Sequence, residues 1–338
     1  MNYVAGTSEA DFIQGLLHEM NEIHGLEDND TVFGGYKSDV LTGDEGDDLI
    51  WADGGDDTIE GGDGYDVIFG AEGNDVISGG GDNDYISGGK GDDTVDAGSG
   101  DDVVNGNSGN DFIRGGDGFD YLFGTDGDDT LDGGEGDDFL SGGSDNDVLM
   151  GSNGNDTYIG GSGFDTLDLS NVKAYVNVDL NKNVMTFQAN GQNYISTLDG
   201  IERVVAGDWG MSVTGDRGNN VLVGGAGDDW FRGKGGGDTM TGGEGQDTFM
   251  WLKKDLAEGA GTDHITDFTM GEDLLNIRDI TKGMADPYSE LRLHETKGGV
   301  VLQHHTGRAW ADIVILDGYS MTQYDGSQLT LADIGLMF

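Results

Sequence analysis

The chain has no cysteine, which excludes disulfides and thiolate metal sites. Its single proline, Pro287, excludes collagen-like and Pro-rich linker architectures. Basic residues are scarce: 16 Lys and Arg stand against 66 Asp and Glu, a formal charge of −50. Nucleic acid and anionic membrane surfaces both need a cationic face, so neither is expected as a partner. No apolar run approaches the roughly 18 residues of a spanning helix, and membrane insertion is not expected. The first basic residue other than histidine is Lys37, so the charged start of a Sec signal peptide is not expected either. Low hydrophobicity with high charge ordinarily means disorder. Here glycine is in excess, 65 of 338 residues, and it is periodic.

From Gly25 to Asp168 the chain divides into sixteen nine-residue units without insertion. Position six is Asp in every unit: Asp30, Asp39, Asp48, Asp57, Asp66, Asp75, Asp84, Asp93, Asp102, Asp111, Asp120, Asp129, Asp138, Asp147, Asp156 and Asp165. Position eight is apolar in every unit, from Val32 and Leu41 to Tyr158 and Leu167. Position one is Gly except at Ala52 and Ala97. Four more units run from Gly215 to Met250, with Asn220, Asp229, Asp238 and Asp247 at position six. Glycines at positions one, two and four suit tight turns, through positive φ and close backbone approach. Asp28, Asp82 and Asp145 replace glycine at position four, and Asp tolerates left-handed backbone better than most residues. Lys37 does not fit and is expected to mark a weaker turn. Positions seven to nine predict a very short strand whose middle side chain points inward. One such side chain is no core, so units must stack, eighteen residues to a two-sided coil.

The pattern, as in Gly61-Gly62-Asp63-Gly64-Tyr65-Asp66-Val67-Ile68-Phe69, resembles the RTX or hemolysin-type calcium-binding repeat. The resemblance implies an all-β fold, a parallel β-roll solenoid with calcium between successive turns on each edge. Elementary chemistry agrees. Aspartates eighteen residues apart stack at about 4.8 Å, and a hard cation with six to eight oxygen ligands answers such a column. The expected ligands are the position-six aspartates named above with Asp229, Asp238 and Asp247. In the family each ion lies between units n and n+2, which implies about fourteen sites in the main block and two in the second. Sixteen divalent ions would move the net charge from −50 to about −18.

Residues 1–24 are expected to form an N-terminal cap, with a degenerate unit at 6–14 (Asp11 and Ile13 in place) and helical spacing of Leu16, Leu17, Met20 and Ile23. The main roll is 25–168, a β connector 169–214, the second block 215–250, and a C-terminal cap 251–338. His18-Glu19 lacks the second histidine of a zincin helix, since Glu22 stands there. His264-Ile265-Thr266-Asp267-Phe268 and Gly271-Glu272-Asp273-Leu274-Leu275 resemble the C-terminal region of serralysin-type secreted proteins. The end, Leu329 to Phe338, resembles an uncleaved type I secretion signal, and an apolar cap over the last coil is the plainer reading. Neither a Gly-x-Ser-x-Gly elbow nor a thiol is present. His304-His305 sit adjacent in a strand and so face opposite ways. The chain is therefore expected to be non-enzymatic.

The expected role is a secreted, extracellular or cell-surface matrix or adhesive component. The alternative is a non-catalytic secretion or targeting module of an exoenzyme whose catalytic domain is absent; the opening at Met1 favours a complete chain. The expected partners are calcium and the type I secretion apparatus. On odd units the outward positions seven and nine include Phe33, Leu49, Trp51, Val67, Phe69, Tyr85, Val103, Tyr121, Phe123, Phe139 and Ile159; on even units only five are apolar. So lopsided an apolar face is expected to be covered, by the segment 172–205, by the C-terminal segment or by a second copy. Polysaccharide is the remaining choice.

Overall fold

The computed structural model describes residues 1–256, 261–284, 286–306, 309–321 and 329–337. Phe338, the last residue of the hydrophobic tail, lies outside the described residues. The protein is an all-β parallel solenoid with almost no helix, as expected. It divides into two compact units: residues 1–168 with 194–201, and residues 169–193 with 202–338.

In the first unit, strands eighteen residues apart pair in parallel and in strict register. Tyr85, Ile86 and Ser87 lie beside Val103, Val104 and Asn105 on one sheet. Thr94, Val95 and Asp96 lie beside Phe112, Ile113 and Arg114 on the other. Odd units thus build one sheet and even units the opposite one. The strands are longer than positions seven to nine: Val67–Glu72 and Thr94–Ser99 run six residues, into position three of the next unit. Position one bends the strand, and pairing resumes beyond it, as from Gly89 to Asn107. In the second unit, by contrast, Val221–Val223, Trp230–Arg232, Thr239–Thr241 and Thr248–Met250 keep to three residues.

The core is one side chain wide. Position eight is buried throughout, with Val32, Leu41, Ile50, Ile86, Leu122 and Tyr158 all fully inaccessible. Each coil adds one such residue per sheet, and full burial of an aliphatic side chain contributes about 1.5–3 kcal/mol. In the second unit the same column carries larger groups, and Phe231 stacks on Phe249 with centroids 5.1 Å apart.

The glycine columns divide by task. Position-one glycines need room, not positive φ. At Gly61 an added Cβ would overlap Asp66 Oδ2 and lie 2.5 Å from the Gly79 carbonyl oxygen, and only alanine, at Ala52 and Ala97, replaces glycine there. Position four needs the left-handed region, and Asp28, Asp82 and Asp145 adopt it with φ of 76°, 68° and 71°. Lys37 does not: its turn forms with positive φ at neither Gly35 nor Lys37. Gly118 combines both demands, with φ of 141° and the Gly100 carbonyl where a Cβ would go. Gly118→Ala is expected to cost about 2–3 kcal/mol and lower the calcium-loaded thermal midpoint by several degrees. Gly191, with φ of 78° and open space around it, should cost about 1 kcal/mol as Ala. Equal midpoints for the two variants would contradict this reading of the turns.

Residues before Gly25 form coil, not a helical cap. Asn2–Ala5 pairs in parallel with Asn21–Glu27, and Phe12–Gln14 with Thr31–Gly35. The helical spacing at 15–24 yields to a turn followed by strand because Ile23 enters the core column, fully buried. The stretch 169–214 is also divided. Residues 194–201 join the first unit, where Thr197 and Leu198 pair with Thr157 and Tyr158 as a further rung. They extend the odd sheet edge-on instead of folding over its face. In the second unit Val176–Asp179 forms an antiparallel pair with Val184–Ala189, while Arg203–Val205 and Met211–Thr214 start the stacking onto Val221–Val223 and Trp230–Arg232. After Met250 the coil continues through Asp263–Ile265 and Leu274–Asn276. It closes with an antiparallel meander, 291–295, 299–305 and 310–317. The tail docks as a last short rung, Leu336 beside Leu275, with Ile334 fully buried.

Candidate metal centres along the two columns

The strict eighteen-residue register brings the position-six aspartates into two columns. Each is at most 2% exposed. From Asp30 to Asp147 the N–H of each aspartate donates to the Oδ1 of the one a full coil later: Asp48 N to Asp66 Oδ1 at 2.8 Å and Asp66 N to Asp84 Oδ1 at 2.8 Å in the odd column, Asp57 N to Asp75 Oδ1 at 2.8 Å in the even one. The carbonyl of the same residue accepts from position seven of the next rung, as Asp48 O does from Val67 N at 2.8 Å. The side chain must therefore be short and carry an acceptor oxygen; an aspartate that hydrogen-bonds through Oδ1 is left with one further oxygen.

That second oxygen defines the site. Oδ2 is buried without a hydrogen-bond partner in Asp30, Asp48, Asp66, Asp84, Asp102, Asp120 and Asp138 of the odd column. The same holds for Asp39, Asp57, Asp75, Asp93, Asp111, Asp129 and Asp147 of the even column, and for Asp238 and Asp247 in the second unit. The position-one glycine places a carbonyl beside it: a Cβ on Gly70 would overlap Asp75 Oδ2 and lie 2.6 Å from the Gly88 oxygen. The space a side chain would fill is thus flanked by a carboxylate oxygen and a backbone oxygen.

Burial pushes these carboxyls upward, the backbone N–H bond pulls them back, and neighbouring carboxylates add to the rise. Asp57 and Asp84 reach about 8. Asp66, Asp93, Asp120, Asp129 and Asp138 reach about 7. Asp48, Asp75, Asp111 and Asp147 reach about 6. Asp238 and Asp263, close together in the second unit, are both raised by burial.

Among the described residues, no three His, Cys, Asp or Glu side chains converge on one point, so a cation must take carbonyls with its carboxylates. That donor set fits calcium: hard oxygens, several of them backbone, in a turn with no thiolate. When bound, the ion supplies the positive charge that lets each buried carboxylate stay ionised.

Three of the expected ligands stand apart. Asp156 Oδ2 accepts from Tyr158 Oη at 2.8 Å and Ser152 Oγ at 3.3 Å. Asp229 Oδ2 accepts from Gly225 N at 3.1 Å. Asp165 closes the even column and receives the Asp147 N–H at 2.9 Å. Sequence spacing also misses members of the columns. Asn21 donates its N–H to Asp39 Oδ1 at 2.6 Å and so heads the even column. Ser196 Oγ takes the place of a carboxylate above Asp156, at 3.2 Å. Asp263 and Asp273 continue the second unit, accepting from Asp238 N at 2.9 Å and Asp247 N at 3.0 Å. Loops lengthen those last intervals from eighteen to 25 and 26 residues. The local signal survives, Asp-x-apolar in Asp263-His264-Ile265 and Asp273-Leu274-Leu275.

A family model for the RTX calcium-binding nonapeptide repeat, in four copies, matches the chain in overlapping windows from residue 24 to 167 and again over 214–249, more than half its length. No curated protein matches the chain.

Proposed function

From the premise that this chain belongs to the family of RTX calcium-binding nonapeptide repeat proteins, we propose that it leaves the cell unfolded through a type I apparatus and folds outside on calcium. The observation that carries this is the set of buried Oδ2 atoms without partners in Asp30 to Asp147, Asp238 and Asp247, which supports fourteen to sixteen ions. Submicromolar calcium inside a cell leaves such sites vacant and the acidic chain exportable, while millimolar calcium outside fills sites of the weaker extracellular kind. The tail from Leu329, like the serralysin-type segments before it, serves in this reading as both export signal and last rung.

The role we assign is a non-enzymatic surface, matrix or adhesive component. Supporting it, the odd sheet of the first unit carries no charged residue at outward positions seven and nine from Thr31 to Ile159, on a chain of −50. Its aromatics form a ladder: Trp51 and Phe69 at 4.7 Å, Phe69 and Tyr85 at 6.1 Å, Tyr121 and Phe139 at 5.8 Å, Phe123 and Phe139 at 5.7 Å. Trp51 and Tyr121 are 41% and 42% exposed. A second copy, equally acidic, could approach this neutral strip more closely than any charged face, and sugar rings of a polysaccharide suit the same ladder. Replacing Trp51, Phe69 and Phe123 by Ser should reduce the mass measured by light scattering in saturating calcium, or abolish retention on glycan. If neither changes, the face has no binding role. The open reading frame upstream of Met1 separates this reading from a non-catalytic exoenzyme module, for which the serralysin-like C-terminal segments speak.

A further inference from the structure

A few column carboxylates have a protein donor on the second oxygen, where most others have none. Asp229, inside the second unit, takes one from the Gly225 N–H, and four others head or close a column. Asp11 Oδ2 accepts from Thr7 N at 2.6 Å and Thr7 Oγ1 at 2.8 Å. Asp156 Oδ2 accepts from Tyr158 Oη and Ser152 Oγ. In the second unit Asp263 Oδ2 accepts from Trp251 Nε1 at 2.6 Å, and Asp273 Oδ2 from Thr269 N at 2.6 Å.

We propose that Tyr158 is a stop residue for the odd column: its hydroxyl fills, at Asp156, the place a cation takes at the rungs before it, so the ions end at Asp138. Trp251 performs the same task at Asp263. The proposal rests on the calcium reading above and sets Asp156 apart from the other position-six aspartates of the odd column.

A buried carboxylate must be compensated, by a cation or by donors, because burial without either costs several kcal/mol. Tyr158 is suited to the second solution. Position eight points inward on the same side as position six, and the phenol is long enough to reach back two residues where Val, Ile or Leu, present at the other fifteen units of the main roll, offers no donor. It is fully buried, and Asp156 is 1% exposed, so the bond is shielded from water. Ser196, not an aspartate, receives the Asp156 N–H, so a cation above Asp156 would find no second carboxylate there, and calcium affinity falls as charged ligands are lost. The stop thus coincides with the place where the eighteen-residue spacing is lost, forty residues separating Asp156 from Ser196.

The test is the calcium content of the full chain, measured by elemental analysis after dialysis at fixed free calcium. Asp138→Asn and Asp156→Asn are compared with the parent, asparagine keeping the Oδ1 acceptor in each. Native β circular dichroism in saturating calcium verifies folding. Asp138→Asn should carry about one ion fewer, and Asp156→Asn the same number as the parent. Tyr158→Phe leaves Asp156 with Ser152 alone and should lower the calcium-loaded thermal midpoint by several degrees. Adding Asp156→Asn to it should restore much of that loss, since the phenol is needed only for the charge. An ion lost on Asp156→Asn, or a Tyr158→Phe loss unchanged in the Asp156→Asn background, overturns the proposal. If even Asp138→Asn leaves the calcium content unchanged, the calcium reading of the columns fails and takes the stop with it.

Discussion

Chelation is expected to abolish the β circular dichroism of this protein, and titration with calcium to restore it cooperatively between about 0.1 and 1 mM. Magnitudes decide this. Two carboxylates about 4.8 Å apart repel by about 3 kcal/mol at an effective dielectric of 20, and each main column stacks seven whose second oxygen has no partner. A whole domain has only about 5–15 kcal/mol of net stability. Ionised and without cations, the columns would exceed that several times over; with an ion per gap, the same geometry becomes attraction. The strands themselves cannot compensate, since each contributes one core side chain. Magnesium should substitute poorly, because its strict octahedral demand suits a carbonyl-rich turn badly. A full β spectrum in excess chelator would sink the calcium account.

The second large effect concerns pH in the absence of calcium. The column carboxyls are raised in the folded state, to about 6 at Asp48 and about 8 at Asp57 and Asp84, above the ordinary 3.8 of an unfolded aspartate. A group raised on folding contributes stability that is complete below its unfolded pKa and lost as pH rises through the folded one. Acidifying the chelated protein from pH 8 to 5, still above its pI of about 4.1, should therefore recover β signal. Calcium works against protons at the same oxygens, so its binding near pH 7 should release protons, and its midpoint should move to higher calcium as pH falls. Titration calorimetry in two buffers of different ionisation heat measures that release. No proton release, with no acid-induced β signal, would mean that the carboxylates do not hold the metal-free roll open.

The two predictions depend differently on sequence and on structure. That aspartates would stack was legible, because an uninterrupted period of nine leaves one register: a slip of a single residue would turn every core side chain outward. The core column, the paired sheets and the position-four turns follow from that period. Where the period fails, legibility fails with it. The 15–24 segment has helical spacing, yet Asn2–Ala5 pairs with Asn21–Glu27, a long-range pairing that no local pattern announces. Asp263 and Asp273 extend the columns across loops whose lengths obey no repeat.

By itself, then, the sequence determined the solenoid, its two sheets and the candidate ligand columns, since periodicity converts local residue choice into global stacking. Only the tertiary structure decided which carboxylates have a protein donor at their second oxygen. Asp138 and Asp156 occupy the same position in the same repeat, and their difference lies in what reaches their second oxygen. For Asp156 that is a phenol from position eight, beneath a rung whose serine arrives from forty residues away. Whether a buried charge is matched by metal or by protein depends on three-dimensional neighbours, which the repeat alone does not specify.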